Sequence, residues 1–134
     1  MSGFIVLNDG RAWTSSNDGF DTVIKHIANY IAQVNQAHAL RSWLLDQRSS
    51  VLGPGLGGID VRELTPHNQE VILDAIETVC GQQELAADLT HWEKAVRLLA
   101  AMVRSYRNGE PPSALNPLMK GVLPPTGDRS GPGW

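Results

Sequence analysis

Leu85 to Tyr106 reads LAADLTHWEKAVRLLAAMVRSY, and its spacing decides the fold. Leu85, Leu89, Trp92, Val96, Leu99, Val103 and Tyr106 are separated by alternating steps of four and three. Residues three and four apart share one helix face, so these seven form a continuous apolar stripe. Leu98 and Met102 widen it to the breadth that a core-facing helix needs. Asn108-Gly109 supplies a stop, and Pro111-Pro112 forbids continuation. A coiled coil is the weaker reading, because the flanking charges are not arranged as interhelical pairs. Thr90-His91-Trp92-Glu93 has capping-box spacing, which gives the helix a second candidate start at His91 after a short turn over Glu84 to Leu89.

Upstream of that stretch, Phe4-Ile5-Val6-Leu7 and Arg11-Ala12-Trp13-Thr14 flank Asn8-Asp9-Gly10. Asp-Gly between two such runs signals a hairpin, with strands expected near 3–7 and 11–15. Phe20, Val23, Ile24, Ile27, Tyr30, Ile31 and Val34 then mark a helix, with Asn17 or Asp18 as its cap. The phase shifts after Val34, which predicts a break near Asn35-Gln36 and a second helix from about Ala37 to Gln47. Val51 to Gly58, VLGPGLGG, reads as a flexible connection. Ile59 to Leu64 reads as a third strand pairing with the hairpin. Thr65-Pro66 opens another helix: threonine caps it, and proline sits where a missing N–H costs nothing. Val71, Ile72, Ala75, Ile76, Val79 and Cys80 face its core side, and Gly81 closes it. This helix and the Leu85–Tyr106 helix are consecutive and are expected to pack antiparallel.

The expected fold is therefore α+β. A small N-terminal antiparallel sheet of two or three strands packs on about four helices within a single domain, residues 1–109. Residues 110–134 form a Pro/Gly-rich tail holding six of the eight prolines. Leu115, Leu118, Met119, Val122 and Leu123 are too apolar for a solvated linker, so the proximal part is expected to lie over the domain or over a partner. The last residues, 126–134, have a disordered composition.

Net charge is −3 over 134 residues, which argues against a general nucleic-acid coat. With one cysteine, no internal disulfide can form. No apolar run approaches membrane-spanning length, and no charged-then-apolar leader opens the chain, so the expected compartment is the cytoplasm. Gly53-Pro54-Gly55-Leu56-Gly57-Gly58 matches G-x-G-x-x-G formally. Its context is reversed, with a helix before it and a strand after it, so it is not read as a phosphate cradle. His26, His38, His67 and His91 lack metal-ligand spacing. Cys80, on an apolar helix face, reads as a buried inert thiol. No catalytic residue, metal site or cofactor is assigned.

Two charged stripes and one aromatic residue remain. Glu70, Asp74 and Glu77 fall at i, i+4 and i+7 on the helix begun at Thr65. Lys94, Arg97, Arg104 and Arg107 run along one side of the last helix. The bland reading makes both stripes solvated faces that partly pair across the groove. The functional reading gives the acidic stripe a basic protein partner, a toxin or an enzyme. Trp43, out of phase with its neighbours, is the candidate aromatic anchor. The preferred function is a non-enzymatic protein-binding protein. In size and composition alone the chain resembles small bacterial or phage inhibitors, such as immunity proteins that neutralise a toxin. The second reading is a small enzyme or ligand binder with a pocket between sheet and helices, drawing on His26, Tyr30 and the glycine loop. The third is a nucleic-acid-associated protein using the basic face of Lys94, Arg97, Arg104 and Arg107.

Overall fold

The computed structural model describes residues 2–53 and 55–111. The expectations for the tail beyond Pro111, including Trp134, lie outside the described residues. Within them the chain is α+β. Strands β1 (Ser2–Val6) and β2 (Ala12–Ser16) form the antiparallel hairpin, with Phe4 opposite Thr14 and Ile5 opposite Trp13. Gly10 adopts φ 90° in the turn, where a side chain would be strained. Leu7 N–H donates to Arg11 O at 2.9 Å and closes it.

Helix α1 (Asn17–Val34) follows directly. Its cap is Ser16 rather than Asn17 or Asp18: Ser16 Oγ accepts from Gly19 N–H at 3.2 Å. Asn17 is diverted to a distant loop, described below. The helix stops where the phase shift places it. Gln36 takes φ 54°, and Asn35 and Ala37 both donate N–H bonds to Ile31 O. Helix α2 (His38–Asp46) then buries Leu40 and Leu44. The glycine-rich connection holds an unexpected short helix, α3 (Ser49–Leu52).

The third strand is shorter than the alternation suggests. β3 (Gly58–Asp60) pairs with β1, giving the order β2-β1-β3, and it runs parallel to β1. Three helices separate the two strands, so the chain has length enough for a crossover and need not return as a hairpin. Strand structure ends because Asp60 Oδ1 accepts from Arg62 N–H at 3.0 Å, which turns Val61–Glu63 into a 3₁₀ turn.

Helix α4 (Pro66–Cys80) starts as expected, Thr65 Oγ1 accepting from Asn68 N–H. Leu85 to Tyr106 is not one helix. Ala87–Trp92 forms a 3₁₀ turn, and α5 (Glu93–Arg107) begins after it. The capping box does not form: Thr90 Oγ donates to Ala87 O at 2.6 Å, inside the turn. The stripe is nonetheless buried, with Leu89, Val96, Leu99 and Val103 inaccessible.

α4 and α5 are antiparallel, since Arg97 reaches the end of α4 while Arg107 reaches Glu70 near its start. The hub of the core is α1, which touches β1, β2, α2, α3, α4 and the 3₁₀ turn before α5. No described helix is long and apolar enough to cross a membrane.

Candidate protein-docking surface

The loop from Ser49 to Gly58 is clamped onto the start of α1. Asp21 Oδ1 accepts from Ser49 N–H at 2.7 Å, and Oδ2 accepts from Ser50 N–H at 2.9 Å. One carboxylate thus satisfies two free amides at the start of α3. Asn17 Oδ1 accepts from Ser49 Oγ at 3.1 Å and from Gly55 N–H at 3.2 Å. Gly58 N–H donates to Gln47 O at 3.3 Å. Gly57 is wedged so tightly that a Cβ there would lie 2.6 Å from Ser49 Oγ and 2.9 Å from Phe20 Cε2.

This clamped loop presents apolar side chains to water. Val51 is 53% exposed, Leu52 43% and Leu56 65%. Three large aliphatics within six residues, on a segment fixed by its neighbours, form a pre-organised apolar surface. The same clamp disposes of the G-x-G-x-x-G resemblance. Amides of the motif are engaged within the protein: Gly53 N–H donates to Ser49 O, Gly55 N–H to Asn17 Oδ1, Leu56 N–H to Gly53 O and Gly58 N–H to Gln47 O, and the Asp21 carboxylate beside the loop would repel a phosphate.

The acidic stripe is largely occupied from within. Arg107 contacts Glu70 at 3.2 Å and Glu77 at 2.9 Å, and Arg104 lies 3.7 Å from Glu77. Asp74 is exposed and has no ion-pair partner among the described residues. A cleft of about 290 Å³ runs beside it, lined by Asn35, His67, Glu70, Val71, Asp74 and Arg107. The basic residues do not form one free face either. Arg97 donates to the carbonyls of Cys80, Gln82 and Gln83, closing the chain after α4. Lys94 alone of the four is exposed without a bonded partner among the described residues. Trp43 is half-buried and packed against the core, so it is not an exposed anchor.

His26 and Tyr30 share a cleft of about 260 Å³ with Asn29, Gln33, Gln82 and an apolar floor of Val79, Ala86 and Leu89. It lies between α1, the end of α4 and the 3₁₀ turn. The glycine loop sits instead against Asn17 and Asp21 at the start of α1, and the structure does not bring it to this cleft. His26 Nε2 donates to Asp88 Oδ1 at 2.7 Å, and Lys25 lies 3.3 Å from Oδ2. Burial opposes ionisation of Asp88, but the bonds from His26 and Lys25 outweigh it and hold the carboxyl below its usual range. Cys80 is buried, and that burial pushes its thiol up to about 12, with Arg97 opposing weakly. Among the described residues no cluster of His, Cys, Asp or Glu could hold a metal ion.

No protein-family model matches the chain, and neither a curated protein nor a solved structure shows detectable similarity to it.

Two features escaped the sequence reading. One is the exposure of Val51, Leu52 and Leu56; its only trace in the sequence is an apolar residue set inside a glycine-rich stretch. The other is Arg11, which is only 4% exposed. Its guanidinium donates to Asp9 at 2.5 Å, Ser105 Oγ at 3.4 Å and Glu110 O at 2.7 Å, and stacks 5.4 Å from the Tyr106 ring centroid.

Proposed function

We propose that this chain is a non-enzymatic protein-binding protein whose contact surface centres on Val51, Leu52 and Leu56. The observation that carries this is the clamped apolar loop. Asp21 and Asn17 fix its backbone while its large side chains face water. Isolated exposed aliphatics are ordinary on a protein surface, but a group of them on an ordered segment is what a partner's apolar patch recognises. Ordering is already present in the free protein, so less freedom is lost on binding.

The acidic stripe is better suited to the rim than to the centre of such a contact. Glu70 and Glu77 are already paired with Arg104 and Arg107, which leaves Asp74 as its unpaired charge among the described residues. An inhibitor of the immunity type is the specific form of this reading in which the partner is a toxin or an enzyme.

The test immobilises the full chain, captures a protein from its native lysate, and titrates the purified partner against wild type and Leu56→Asp. Burying a leucine is worth roughly 1.5–3 kcal/mol, so the substitution should weaken binding at least about tenfold. Unchanged affinity would remove the loop from the interface. Loss with Glu70→Lys and Asp74→Lys instead would return the contact to the acidic stripe. Loss of the partner's own activity on binding would identify an inhibitor.

The ligand-binding reading draws on the His26–Asp88 pair beside its cleft. That cleft, about 260 Å³, lies just below the roughly 300–1,000 Å³ usual for small-molecule sites. Resonances of His26 that stay fixed on adding a pool of small metabolites would dismiss it.

A further inference from the structure

We infer that the docking surface at Val51, Leu52 and Leu56 extends across Gly58 to Phe4, and that its partner presents a short segment whose apolar residues are flanked by lysine or arginine. This rests on the loop being the docking surface.

The sheet has two unlike faces. Ile5, Trp13 and Ile59 share the inner one and are buried, and Trp13 Nε1 donates to Ala95 O on α5 at 2.8 Å. Phe4, Thr14 and Gly58 are in register on the opposite face. There the Phe4 ring covers Gly58 so closely that a Cβ on Gly58 would overlap it, and 39% of Phe4 faces water. Gly57 turns the other way, since a Cβ on it would meet the buried Phe20. Leu56 stands two residues before Gly58, within about 7 Å of chain. Its Cδ1 would lie 3.3 Å from a Cβ on Gly53, which ends α3. Gly57 and Gly58 add no side chain between Leu56 and Phe4. The exposed aliphatics of the loop and the aromatic ring therefore form one apolar surface, with the aromatic residue that interface centres favour.

Charges beside this surface are mostly of one sign. Asp21 binds the amides of Ser49 and Ser50. Asp18 follows Asn17, which holds Gly55, and Asp46 precedes Gln47, whose carbonyl accepts from Gly58 N–H. Asp18 and Asp46 are exposed and have no ion-pair partner among the described residues. Arg48, the cation of the same stretch, is half-buried, and its Nε donates to Leu45 O at 2.9 Å. Asp60, at the end of β3, is neutralised by Arg62 at 2.8 Å. An apolar centre with an acidic margin is complemented by an apolar centre with a basic one. A second copy of this chain fits poorly, because a two-fold contact through this surface would set aspartates against aspartates.

The test pans a displayed library of short random peptides against the full chain, with Leu56→Asp as the counter-selection. Enriched peptides should combine apolar residues with an excess of lysine and arginine. Affinity of the tightest should fall about tenfold with Phe4→Thr, which keeps a strand-forming residue. It should fall about threefold with Asp18→Asn combined with Asp46→Asn, both exposed positions whose exchange leaves the core intact. Circular dichroism checks the fold of each variant. Peptides that need Leu56 but carry no basic excess, or that are indifferent to Phe4→Thr or to the aspartate pair, would overturn the inference while leaving the loop as the docking surface. A library yielding no peptide that depends on Leu56 would remove the loop itself and the inference with it. Dimers of the chain that Leu56→Asp abolishes would overturn it too, by assigning the surface to a second copy.

Discussion

Arg11 stands in a strand-like run whose alternation says nothing of a charge in the interior, yet its guanidinium is buried among Asp9, Ser105, Tyr106 and the Glu110 carbonyl. Replacing it with alanine removes the guanidinium's bonds to Asp9, Ser105 and the Glu110 carbonyl and should cost about 1.5–3 kcal/mol in urea unfolding, the range for hydrogen bonds to a charged group. Lysine should recover less than half, because it keeps the charge and loses the fork. Cys80 gives a second expectation at this scale. Its thiol is raised from an ordinary 9.0 to about 12, so the folded state holds the proton more tightly than the unfolded chain does. The associated stability is complete below pH 9 and is lost as pH rises from 9 toward 12. Wild type should accordingly lose more stability than Cys80→Ala over that interval. Matched urea curves at the two ends would reveal it, and parallel losses would refute it.

Elements were legible wherever local chemistry and burial agreed. α1 follows its apolar spacing, and the Asn35-Gln36 break follows the phase shift. Thr65-Pro66 opens α4 by a side-chain cap that the structure contains. They were misread where a correct local signal had a competitor. Thr90 and Glu93 have capping-box spacing, but burial of Leu89 holds Ala87–Trp92 as a 3₁₀ turn and turns the Thr90 hydroxyl to Ala87 O. Thermal unfolding should separate the two threonines: Thr65→Ala should cost about 1 kcal/mol and Thr90→Ala under about 0.5. The clamped loop was not legible at all. Its contacts to Asn17 and Asp21 span about thirty residues of chain, and no periodicity reports on them. Asp21→Ala should cost about 1–2 kcal/mol through two lost capping bonds, and amide exchange should quicken at Ser49 and Ser50. Unaltered exchange there would mean that the clamp does not hold the loop.

Across the described residues, many charged side chains are paired with one another and most large apolar side chains are buried. The sequence showed both charged stripes and the chance of their pairing; the fold assigns Arg107 to Glu70 and Glu77, and Arg97 to the carbonyls after α4. Such exposed pairs contribute little stability each, so raising salt should scarcely move the unfolding midpoint. What stands out against that balance is the apolar loop. A contact centred there should depend weakly on ionic strength, whereas one centred on Glu70, Asp74 and Glu77 would weaken as salt rises. The most direct measurement is the affinity of the captured partner for wild type and for Leu56→Asp, with folding of both checked by circular dichroism. A loss of about tenfold or more in a folded variant is the expected result; equal affinities would contradict the assignment of the loop as the docking surface.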